Sequence, residues 1–229
     1  MTFQDFNRAY SQDRISRYLT TCNGDKSKAM LLYKYNLRLS QEIFTIVTCL
    51  EVVLRNAIDR QLTTTLGNDW LKDSVDTGGI FDSPRCQDSA QIIRKANRKV
   101  LALGTYQHSK LVSSIDFGTW KYMFGSFQYR VTGRTLLQIF HNRPQSSAAM
   151  QYNNTYIFNE LDKANTLRNR VAHNEPIIFT HSNPQADTTY ILNEYIKILT
   201  LLTWLGYAPH AMFYGLDLVQ QICDKINKL

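Results

Sequence analysis

Apolar residues recur at helical spacing through most of the chain, and the elements they predict are helices. Residues 1–38 read as short helices, with Asn23-Gly24-Asp25 as a turn between them. The first strong helix is expected from about Gln41 to Leu62, with Ser40 as its N-cap and Glu42 in its first turn. It is apolar on most sides and carries one polar stripe, Thr48, Glu51, Arg55 and Asp59. Gly67, Gly78, Gly79 and Pro84 among polar residues mark 67–88 as a long loop, and a helix follows from about Asp88 to Leu103. After an aromatic stretch from Ile115 to Phe127 and a polar one from Ile139 to Tyr152, the residues Ile157, Leu161, Ala164 and Val171 fall on one stripe of a further helix. His181-Ser182-Asn183-Pro184 reads as loop. Ile191, Tyr195, Ile198, Leu202 and Leu205 then share one face of a last long helix that Pro209 ends, leaving a short helix up to Leu229. The expected fold is all-α, and 229 residues suit a single domain over 1–229.

Arg168 interrupts this pattern, because it falls inside the apolar stripe of the helix that carries Ile157 to Val171. A guanidinium there keeps its charge and needs an anionic partner or a wet cleft. Asn169 and His173 are four apart and share one side of the same helix, so arginine, amide and imidazole lie within one and a half turns. Pro176 disfavours the helical conformation at Glu175, which puts His173 in the last turn, where the negative end of the helix dipole favours a positive side chain. These groups suit phosphodiester cleavage in RNA: the imidazole moves a proton, the arginine neutralises charge on phosphorus and the amide orients either one. No metal is required. One copy supplies one histidine, and a symmetric dimer would bring the second for separate acid and base roles. The bland alternative is an arginine bridged to a carboxylate, a histidine capping carbonyls and an asparagine bonded locally.

Charge changes this picture modestly. The net charge of +7 makes an anionic partner plausible, with RNA ahead of a membrane. The run containing Arg94, Lys95, Arg98 and Lys99 is either a solvated helix face or a strip that tracks phosphates. Glu51 and Arg55 are either a solvent-facing pair or groups that face the motif helix or a dimer partner. The aromatic residues from Phe117 to Phe127 are either core or a surface for stacking unpaired bases. Cys22, Cys49, Cys86 and Cys223 are far apart, and His108 and His141 have no partner at ligand spacing, so neither disulfide, metal site nor cofactor is indicated. The start lacks a signal-peptide pattern, and Glu51 in one segment and Asn193, Glu194 and Lys197 in another break the candidate membrane spans; a cytoplasmic protein is expected.

Four segments together resemble the Abi-like (abortive infection) family of bacterial defence proteins, within the HEPN superfamily. They are Ala29-Met30-Leu31-Leu32-Tyr33-Lys34-Tyr35-Asn36 leading to Leu39-Ser40, then Leu50 to Ile58, then Phe117-Gly118-Thr119-Trp120, and finally Arg168-Asn169-Arg170-Val171-Ala172-His173-Asn174-Glu175-Pro176. The resemblance implies a HEPN-like helical bundle with additional N- and C-terminal helices and a motif-bearing core over about 29–206. It also implies a metal-independent endoribonuclease with a composite site at a homodimer interface, acting in anti-phage defence or as a toxin restrained by a protein or RNA antitoxin. Carried onto this chain, the catalytic set is Arg168, Asn169 and His173. Some relatives have a second histidine after the motif histidine, where this chain has Asn174. Since the superfamily also contains members that only bind, the opposing expectation is a non-catalytic module for RNA, a nucleotide or an antitoxin partner.

Overall fold

A computed structural model describes residues 1–179 and 185–229; the loop expected over His181–Pro184 lies outside them. All regular structure among the described residues is helical: α1 (Phe3–Tyr10), α2 (Gln12–Thr21), α3 (Lys26–Leu66), α4 (Trp70–Asp73), α5 (Gln87–Ala102), α6 (His108–Ser114), α7 (Phe117–Tyr122), α8 (Ser126–Val131), α9 (Asn154–Ala172), α10 (Thr189–Trp204), α11 (Pro209–Met212) and α12 (Val219–Asn227). No helix among the described residues is long and apolar enough to cross a membrane.

The first strong helix begins fifteen residues earlier than the sequence reading places it. α3 is one 41-residue helix, Ser40 lies inside it, and the N-cap is Asp25, whose Oδ1 accepts from the backbone N–H of Ser27 (2.9 Å) and Lys28 (3.0 Å). Lys26 to Leu66 contains neither glycine nor proline, so nothing interrupts the backbone ladder until Gly67, whose φ of 99° ends it. A serine costs a helix interior only a few tenths of a kcal/mol, about 0.5. Burial of Leu32, Tyr33, Asn36 and Leu39 on one face carries the helix through it.

By compactness the chain divides into two units. The first comprises 1–48, 166–199 and 209–229, the second 49–165 and 200–208; α3, α9 and α10 each contribute to both. In the first unit Phe6, Tyr10, Tyr18, Tyr33 and Phe179 form a ladder of tilted and edge-on rings with centroids 4.7–5.3 Å apart. The buried Glu42 pairs with Arg38 at 3.5 Å and accepts from the Leu218 N–H at 3.4 Å, tying the segment before α12 to α3.

The second unit is built round Leu54, Ile58, Trp70, Phe81, Phe117, Trp120, Phe124, Ile157 and Leu161, all fully or nearly fully buried. Its 67–86 segment holds more structure than the expected loop, because buried Trp70 and Leu71 anchor α4 and Pro84–Cys86 forms a 3-10 turn. Asp59 organises this region: Trp70 Nε1 donates to its Oδ1 at 2.8 Å, and His108 Nε2 lies 2.7 Å from the same oxygen. His108 thus has a carboxylate and, at 3.1 Å, the Tyr106 hydroxyl as neighbours.

Candidate active site at the end of α9

The motif helix starts at the side-chain cap of Asn153, whose Oδ1 accepts from the Tyr156 N–H at 3.0 Å, and buries the predicted stripe of Ile157, Leu161, Ala164 and Val171 together with Leu167. Its C-terminus is a Schellman turn. Asn174 adopts φ 55°, its N–H donates to the Val171 carbonyl at 2.9 Å, and the Glu175 N–H donates to the Arg170 carbonyl at 2.8 Å. An asparagine tolerates the left-handed conformation better than most residues. The helix therefore stops at Ala172, with His173 as its C-cap, and Pro176 follows just past the turn.

The two arginines of the motif have separate roles. Arg170 is a structural clamp: Nη2 donates to the carbonyls of Pro176 (2.8 Å) and Phe179 (3.2 Å), and Nε lies 3.4 Å from Glu175 Oε2. Arg168, half-buried, has its Nε enclosed without a hydrogen-bond partner and forms no ion pair among the described residues. Asn169 and His173 are exposed, and neither side chain has a hydrogen bond or ion pair among the described residues. Arg168, Asn169 and His173 all lie in the first unit and one and a half turns of chain.

Two further residues fix this end, and no local signal marks them. Arg14 Nη2 donates to the Asn174 carbonyl, 160 residues away in sequence. Asn36 is buried, and its Oδ1 accepts from the N–H groups of Ile177 (3.0 Å) and Ile178 (3.4 Å), holding the strand of chain that leaves the turn. A groove of about 350 Å³ beside the turn is lined by Leu37, Ser40, Gln41 and Phe44 of α3 and by Ala172 and Asn174.

The remaining candidates lie elsewhere. Glu51 and Arg55 are half-buried in the second unit, Arg55 with its Nε enclosed and without a hydrogen-bond partner. Of the basic strip on α5, Arg94 is engaged, donating twice to the Val75 carbonyl (3.0 and 2.6 Å) and pairing with Asp82 at 3.7 Å. Lys95, Arg98 and Lys99 are exposed and make no ion pair among the described residues. The described residues contain no group of three or more His, Cys, Asp or Glu placed to hold a metal ion. Compared with protein-family models, curated proteins and solved structures, the chain matches none of them.

Proposed function

We propose that this chain is a metal-independent endoribonuclease of the HEPN kind, acting in bacterial anti-phage defence as an abortive-infection or toxin-like protein. Arg168 clamps the scissile phosphate, His173 moves a proton to or from the 2'-hydroxyl or the leaving oxygen, and Asn169 orients one of them. Two copies across a two-fold axis supply two imidazoles, one as base and one as acid. RNA, a second copy of the chain and a restraining antitoxin are the partners this reading entails, in the cytoplasm.

The observation that carries it is the division of labour on α9. A purely structural motif would use its arginine on a carboxylate and cap its carbonyls from side chains. Here Arg170 takes the carboxylate and two carbonyls beyond the helix, and backbone N–H groups of the turn cap the carbonyls of Asn169, Arg170 and Val171, while the side chains of Arg168, Asn169 and His173 have no hydrogen bond or ion pair among the described residues. An unpaired, half-buried guanidinium is costly unless an anion joins it.

The test is incubation of the purified chain with cellular RNA in EDTA, beside His173→Ala, followed by sequencing of the cut ends and assay for 2',3'-cyclic phosphate. Cleavage by the wild type alone, leaving cyclic ends, is expected. Equal behaviour of the two proteins would sink the catalytic assignment and favour a binding module.

A further inference from the structure

The aromatic stretch that follows α6 leaves part of itself outside the core. Phe117, Trp120 and Phe124 are buried, whereas Tyr122 is 48% exposed and Phe127 is half-buried. Within the second unit, Tyr122 and Phe127 join Phe158 of α9 in the wall of a cavity of about 730 Å³. That volume lies within the roughly 300–1,000 Å³ of sites for small organic ligands, which are also mostly apolar with a few placed polar groups. Arg168, Asn169 and His173 line no part of it.

The polar groups on this wall are specific in kind. The Arg85 guanidinium stacks on the Phe127 ring at 4.3 Å and forms no ion pair among the described residues, so its planar set of N–H donors is held ready for an anion. Asp116 caps α7 with Oδ1, which accepts from the Thr119 N–H (2.8 Å) and hydroxyl (2.9 Å); Oδ2 is then the acceptor it offers to a ligand N–H. Ser89 accepts from Gln128 Nε2 at 3.2 Å and retains its own hydroxyl proton to donate. Asp88 adds a second carboxylate that suits hydroxyl donors. Gly125 keeps the wall thin: a Cβ there would meet the Tyr122 carbonyl at 3.0 Å and Gln128 Oε1 at 3.2 Å. Tyr122 and Phe158, with ring centroids 5.6 Å apart and tilted by 57°, supply the aromatic part of the wall, and the Lys121 ammonium lies 4.7 and 5.4 Å from their centroids.

Flat apolar faces, a ring-edge acceptor and donor, and one unpaired arginine describe a single class of ligand. We propose that this cavity binds a planar heteroaromatic ring carrying a phosphate, the chemistry shared by a free nucleotide and by an unpaired nucleotide of RNA. The ring stacks on Tyr122 with Phe158 against its edge, Asp116 and Ser89 read its polar edge, and Arg85 takes the phosphate. The site stands independently of the ribonuclease reading.

The test is calorimetric titration of the full chain with the four ribonucleoside 5'-monophosphates, the matching nucleosides and a single-stranded RNA tetranucleotide. It is repeated with Tyr122→Ala, Arg85→Gln and Arg168→Ala; Tyr122 and Arg85 are exposed, so their replacement leaves the fold intact, which circular dichroism checks. Saturable binding of at least one monophosphate is expected, weakened about tenfold by Tyr122→Ala, as loss of one stacking face predicts. Arg85→Gln should weaken the monophosphate by about tenfold and leave the nucleoside unchanged. A tetranucleotide that displaces the monophosphate identifies RNA as the source, and one that does not identifies a free nucleotide. Absence of binding by the wild type to all of these ligands overturns the proposal. So does binding that Arg168→Ala abolishes while the two cavity variants leave it untouched.

Discussion

Arg168 and Arg170 are two positions apart on α9, yet the consequences of removing them should differ in kind. Arg170→Ala deletes two hydrogen bonds to carbonyls and the pair with Glu175, and leaves those carbonyls short of donors. A loss of about 1–3 kcal/mol in urea unfolding is expected. Arg168→Ala removes a guanidinium whose Nε is already enclosed and unpaired, so stability should change by under about 1 kcal/mol. Under the proposed chemistry it should instead cost about 100-fold or more in RNA cleavage. Equal destabilisation by the two substitutions would contradict the division of roles.

Among the elements, α3 offers the sharpest test, because its start is where pattern and structure part. With Asp25 as the N-cap, Asp25→Ala should cost about 1 kcal/mol. Ser40→Ala, inside the helix, should be neutral or stabilise by up to about 0.5 kcal/mol. Thermal unfolding of the two variants decides this, since a helix that began at Gln41 would reverse the order. Serine is a preferred cap and a tolerated interior residue, so it marks a boundary only when the preceding turn has nothing to bury. Here the preceding turns bury Leu32, Tyr33, Asn36 and Leu39. In the same way, the glycines and the proline of 67–88 correctly signalled broken structure, but the anchoring of α4 came from Trp70, whose indole reaches Asp59 on α3.

For the molecule as a whole, the buried Tyr18 and the half-buried Tyr106 and Tyr195 are expected to contribute most to the loss of stability above about pH 10. Burial first, and then the carboxylates of Asp69, Asp73 and Asp59, push Tyr106 up to about 12; burial also raises Tyr18, and burial with the Asp217 hydrogen bond raises Tyr195. Phenols of the unfolded chain lose their protons near pH 10. Above about pH 10 the folded chain therefore holds more protons than the unfolded one, and stability falls with rising pH. This contribution is fully present below about pH 10 and is lost as pH climbs through the folded values. Burial also raises the thiols of Cys22, Cys49, Cys86 and Cys223, so the urea midpoint should be nearly flat up to about pH 8, begin to fall as unfolded thiols ionise and fall more steeply above about 10. Tyr18→Phe should flatten part of that drop. Because the Tyr18 hydroxyl is buried without a hydrogen-bond partner, the same change should raise stability at neutral pH by about 1 kcal/mol. A drop of the same size in Tyr18→Phe would assign the alkaline limit to other groups.

Helical periodicity was enough to identify the all-α class, α5 to within a residue at each end, and the buried stripe of α9, because a repeating apolar face is a local property of the chain. The same local reasoning singled out Arg168, as a charge where the period calls for an apolar residue. Folding alone decided which of the two motif arginines is engaged, since the carbonyls that Arg170 binds belong to an irregular segment with no period to read. It alone brought Arg14 and Asn36 to the end of α9, because each hydrogen bond spans more than a hundred residues. And it divided the aromatic stretch between core and cavity wall, for spacing shows that aromatic residues share a region but not which of their faces find something to pack against.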